Sequence, residues 1–159
     1  MKSVLNFSAI LLLFFIGNSC SSSDDNSTPS APSPVISTFT ATLGPPTGVT
    51  STASGSATLK LNETAKTYEI TVNYTGLTPI HGHIHSADGA VQLPFPDATV
   101  ASSPFTYSAA INDTQITQLM AGTDYVNLHT TAYPAGEISG VLTKTGTTGG
   151  GTGGGGGGY

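Results

Sequence analysis

The chain has 159 residues, of which only 8% are charged; four lysines and no arginine face nine acidic residues, for a net charge of −5. Without clustered cations to neutralise phosphates, a nucleic-acid partner is not expected. Between an apolar start and a glycine-rich end the length leaves room for one domain of roughly 100 to 120 residues, and its Ser, Thr, Val and Ile content favours strands over helices.

The first segment, "MKSVLNFSAILLLFFIGNSC", has one lysine, an apolar stretch from about Ile10 to Ile16 and then small residues ahead of Cys20, the sole cysteine. The apolar run is too short to span a bilayer and reads as an export signal over residues 1–19. "IGNSC" resembles the lipobox of bacterial lipoproteins, although Gly17 stands where those proteins most often carry Leu. The resemblance implies that Ser19 precedes the cut and that Cys20 carries the lipid. Residues 20–34 follow as a Ser, Pro and Asp run without apolar periodicity, expected to be a flexible tether. Ser21 is not the aspartate associated with inner-membrane retention, and the acidic pair Asp24 and Asp25 resembles short surface-export signals. The expected location is therefore the outer membrane or cell surface, with the membrane reached through the lipid.

Residues 35–144 form the expected domain. Its pattern has period two: in "TYEITVNY", Tyr68, Ile70, Val72 and Tyr74 share one face and Thr67, Glu69, Thr71 and Asn73 the other. Comparable runs cover Val35–Leu43, Gly55–Leu61, Ile80–His85, Phe105–Ile111, Asp124–His129 and Glu137–Thr143. Together they predict an all-β fold, an antiparallel sandwich or Greek-key barrel of seven to eight short strands. One helix interrupts them at "NDTQITQLMAG", where Asn112 or Asp113 can cap, Ile116, Leu119 and Met120 share a face, and Gly122 ends the turn. It is expected to plug one end of the core. The aromatic side chains of Tyr68, Tyr74, Phe105, Tyr107, Tyr125 and Tyr133 are expected in the core or paired across strands. In the proline-bounded loop "LPFPDATV", residues 93–100, Phe95 is a candidate lid. From residue 145 onward the glycine-rich tail is expected to be disordered.

Three of the four histidines lie in "HGHIH", residues 81–85. With Ile80 and Ile84 turned to the core, alternation sends His81, His83 and His85 outward; with Val126 and Leu128 turned to the core, it sends Tyr125, Asn127 and His129 outward as well. Same-face residues on a strand are about 6.5 to 7 Å apart, so two imidazoles can converge on one ion at about 2.0 to 2.1 Å. His83, His85 and His129, with His81 as a further candidate, could thus form a histidine site suited to Cu or Zn. The plainer alternative is a polar sheet face whose histidines bond loop carbonyls, Asp88 or Glu137. A hydrolase is not expected: Ser86, Thr130 and Thr131 adjoin the histidines, but there is no G-x-S-x-G context and no free cysteine.

Beyond these patterns, "HIHSADGA" followed by "LMAGTDYVNLHTTAYPAGEISGVL" resembles the CHRD domain, a module named for chordin and found in secreted proteins. His83, Ile84 and His85 match its first segment. Gly122, Tyr125, Val126, Asn127, His129 and Thr130 match its second, and Pro134, Gly136, Glu137, Ile138 and Gly140 match its end. The likeness covers roughly residues 37–143; it departs at "HSADGA", and His81 falls outside it. It implies an all-β extracellular module with no established enzymatic activity; Tyr125, Asn127 and Glu137 are candidates either to support the histidines or to serve the motif alone. The expected role is binding or structural, in the cell envelope. A weaker likeness to copper, zinc superoxide dismutase rests on His83, His85 and His129 alone. The other metal histidines, the guiding arginine and the disulfide of that family are missing, so dismutase activity is not expected.

Overall fold

The structure is a computed structural model that describes residues 33–150. The expected export signal, Cys20 and most of both the expected tether and the glycine-rich tail lie outside the described residues.

The elements in chain order are β1 (Ile36–Leu43), β2 (Ser54–Asn62), β3 (Thr67–Thr75), β4 (His81–His85), β5 (Val91–Pro94), α1 (Asp97–Val100), β6 (Phe105–Ala110), α2 (Asp113–Met120), β7 (Tyr125–His129), β8 (Ile138–Val141) and β9 (Thr143–Thr148). They form two antiparallel sheets, one of five strands in the order β6-β3-β2-β1-β9 and one of four in the order β5-β4-β7-β8. This is the expected all-β sandwich, with nine strands.

Alternation builds the core between the sheets. Phe39, Leu59, Ile70 and Val72 from the first sheet and Ile84, Val126, Leu128 and Ile138 from the second are fully buried. Each such side chain contributes about 1.5–3 kcal/mol by leaving water. No cysteine occurs in residues 33–150, so this packing replaces the cross-links common in small exported domains. The chain changes sheet at Leu142, itself fully buried, between β8 and β9. There β8 crosses close over β1: Gly44 and Ser139 exchange backbone hydrogen bonds, and a Cβ at Gly140 would stand 2.1 Å from the Thr42 carbonyl oxygen. Helix α2 carries a complete capping box, in which the Asn112 side chain accepts from Gln115 N and the Gln115 side chain accepts from Asn112 N. Its Leu119 is buried, and Ile116 and Met120 pack against the same core.

The structure departs from the expected pattern at five places. Strand β9 continues to Thr148 although residues from 145 were expected to be disordered; all six of its residues are exposed, and it is held by backbone pairing to β1, which leaves no apolar signal. Strand β5 and helix α1 occupy segments expected to be loop, the first pairing with β4 and the second following the Pro96 N-cap. Ile80 precedes β4 and is 41% exposed, so it is not the core partner of Ile84. Phe95 is not a lid: it is 3% exposed and packs against Phe105 and Tyr107, with ring centroids 5.6 and 6.0 Å away. Tyr133 lies in the loop after β7, where its hydroxyl donates to the Thr50 carbonyl.

Candidate metal centre

The histidines sit on the outer face of the four-stranded sheet. Strands β4 and β7 pair with His81 opposite His129, His83 opposite Asn127 and His85 opposite Tyr125. The register therefore sets the end of one histidine strand beside the end of the other. Gly82 lies on the inner face, where a Cβ would meet Leu128, Val100 and Phe95 at 2.9, 3.0 and 3.2 Å. The space its side chain would fill belongs to the core, and the Phe95 amide donates to its carbonyl at 3.0 Å. The glycine in "HGHIH" thus lets the β5–α1 segment pack tightly beneath the histidine strand.

Two loops cover the outer face and orient the rings. Between β4 and β5, "SADGA" closes a turn with Gly89 at φ 85°, where a side chain would be strained, and the His85 Nδ1–H donates to the Gly89 carbonyl at 2.9 Å. After β7, "TTAYPAGE" folds back, and the His129 Nδ1–H donates to the Pro134 carbonyl at 2.9 Å. Because carbonyl oxygens only accept, both rings must carry hydrogen on Nδ1, which leaves the Nε2 lone pairs free. The His129 Nε2 is 3.2 Å from the His83 Nδ1, so by elimination His83 donates to it. The His85 Nε2 is buried without a hydrogen-bond partner among the described residues.

One ligand nitrogen from each of His83, His85 and His129 falls within 4.8 Å of the others. Around an ion with bonds of about 2.0 to 2.1 Å, tetrahedral ligands stand about 3.3 to 3.4 Å apart, so small side-chain adjustments would bring the three nitrogens to that spacing and leave a fourth position open. His85 and His129 are each 8% exposed, and His83 is partly exposed. Burial lowers the pKa of His83, and the neighbouring His129, His85 and His81 lower it further against the opposing pull of Asp97. Burial likewise lowers that of His129, with His85 and His81 adding to the effect against the Pro134 hydrogen bond. Both shifts favour the neutral ring, the form that binds metal.

The remaining sequence candidates support this arrangement or stand beside it. Tyr125 stacks on His85 with centroids 5.1 Å apart and planes 10° from parallel. Asn127 donates through Nδ2 to the Ala135 carbonyl at 3.0 Å, tying the covering loop to the strand. Neither acidic side chain weighed as a histidine partner fills that role. Asp88 accepts from Ser86 Oγ and Ala90 N, while Glu137, 8% exposed, accepts from Ser51 Oγ and Thr130 Oγ1, each at 2.7 Å. His81 lies outside the three-nitrogen cluster and pairs through Nδ1 with Asp97 at 2.8 Å. The carbonyls of Gly89 and Pro134 carry no mark in the sequence, since any residue supplies one; the turn glycine and the proline were the only hints.

A family model of the CHRD domain matches residues 38–142, well over half of the chain. No curated protein and no solved structure matches the chain.

Proposed function

Because the chain belongs to the CHRD domain family, we propose that it is an extracytoplasmic binding module that holds a single Cu or Zn ion through His83, His85 and His129. The observation that carries this reading is the buried Nε2 of His85, partnerless among the described residues, on a ring that offers a nitrogen within 4.8 Å of one from His83 and one from His129. Buried polar atoms in folded proteins almost always have a partner, and a cation held jointly by the three imidazoles would supply one. The Gly89 and Pro134 carbonyls act as outer-shell acceptors that fix the tautomers of His85 and His129. Binding replaces the hydrogen that His83 shares with His129, and His83 then carries its hydrogen on Nε2. Equilibrium dialysis of the mature protein against copper and zinc at neutral pH should give one equivalent bound. His83→Ala or His129→Ala should lower affinity by at least about tenfold, in line with loss of a metal ligand or its support. Absence of stoichiometric binding by the wild-type protein would refute the site.

In the same reading, lipid on Cys20 anchors the module in the envelope, and the Ser, Pro and Asp segment holds it away from the membrane surface. The lipobox-like "IGNSC" supports this. Metabolic labelling with a palmitate analogue should mark the wild-type protein and not Cys20→Ala; equal labelling of both would remove the anchor.

A further inference from the structure

We propose that His81 is the entry ligand of this centre, capturing the ion at the surface and passing it to the three inner histidines. The inference rests on the metal-binding reading above and adds the route by which that site fills and empties.

The inner ligands are poorly accessible: His85 and His129 are each 8% exposed beneath the loops that carry Gly89 and Pro134. His83 is the inner ligand that reaches toward solvent. Directly outward of it on the same strand face stands His81, its side chain 51% exposed, with its ring 6.4 Å from that of His83 and 17° from parallel. The register also places it opposite His129. His81 is therefore stacked beside the His83 ring and paired in register with His129, yet it is not one of the three converging ligands.

Its orientation matches the task. The Asp97 carboxylate accepts from Nδ1 at 2.8 Å, so Nε2 keeps its lone pair, as in His85 and His129. In those two rings a neutral carbonyl fixes the tautomer; in His81 a carboxylate does so. Asp97 is 64% exposed and adds a negative charge at the mouth, which attracts a hydrated cation. A hydrated ion can exchange one water for the His81 Nε2, then further waters for inner nitrogens, and leave His81 as the inner set closes. Each exchange forms one metal–nitrogen bond and releases one water, except the last, in which an inner nitrogen takes the place of the His81 Nε2.

A ligand used only in passage changes the rates of entry and exit by the same factor and leaves the equilibrium alone. Stopped-flow mixing of the full mature protein with Cu(II) tests this, read by quenching of tyrosine emission from Tyr125, which stacks on His85. Entry is measured directly and exit by competition with a chelator. His81→Ala should slow both by about tenfold while the dissociation constant stays within about twofold, and Asp97→Asn should slow entry by a smaller factor. Unchanged rates in His81→Ala would overturn the entry role. A weaker dissociation constant with unchanged entry would also overturn it, by making His81 a resident ligand. If wild-type protein bound no copper, the metal reading itself would fail, an outcome distinct from either of these.

Discussion

At the level of single residues, the histidine face shows what alternation can and cannot convey. The period-two pattern puts His83, His85 and His129 on one face because Ile84, Val126 and Leu128 must occupy the other. It does not convey register: that β4 and β7 are neighbours is a long-range pairing set by the whole sheet. Nor does it convey the tautomers, which depend on two loop carbonyls. The lowered pKa values of His83 and His129 have a consequence for the metal-free protein. In the unfolded chain these groups titrate near 6.5, above their folded values, so below that pH the unfolded state binds more protons and stability falls. Their contribution is fully present above about pH 6.5 and is lost as the pH drops through the lowered folded values. Thermal unfolding of metal-free protein at pH 7.5 and pH 5 should show a lower Tm at pH 5, and a His83→Gln, His129→Gln double variant should narrow that gap. An equal gap in both proteins would contradict the assignment.

Among the elements, the loop after β7 has the greatest influence on the centre. It delivers the Pro134 carbonyl to His129 and the Ala135 carbonyl to Asn127, and its close approach to the strand depends on Gly136. That residue has φ 121°, and a Cβ there would fall 2.1 Å from the Asn127 Oδ1. The conformation is open to glycine and strained for other residues. Gly136→Ala should therefore lift the loop, at a cost of about 1–3 kcal/mol in stability measured by denaturant unfolding. It should also weaken metal binding although no ligand is touched. Wild-type stability and affinity in this variant would show that the loop does not position His129. The strands that were legible in the sequence were those with one apolar face, such as β3 with Tyr68, Ile70, Val72 and Tyr74. Those missed had none: β9 buries no side chain, and β5 has only Leu93 buried.

For the whole molecule, the sandwich was readable because seven runs alternate and turn residues separate them. The family match over residues 38–142 spans β4, β7 and the loops over the histidines. The fold places those histidines on the outer face of the smaller sheet, away from the core between the sheets. A bound ion would thus be reached from solvent and held by side chains that the core does not require. His83→Ala or His129→Ala should consequently remove the metal without unfolding the domain, and near-unchanged circular dichroism of each variant would verify this. The most direct test of the central claim is X-ray absorption spectroscopy of the protein loaded with one equivalent of zinc. The predicted spectrum shows three imidazole nitrogens at about 2.0 to 2.1 Å with the multiple-scattering features of histidine rings. A shell of oxygen ligands lacking imidazole scattering, or an equally intense imidazole signal in the His83→Ala, His129→Ala double variant, would contradict it.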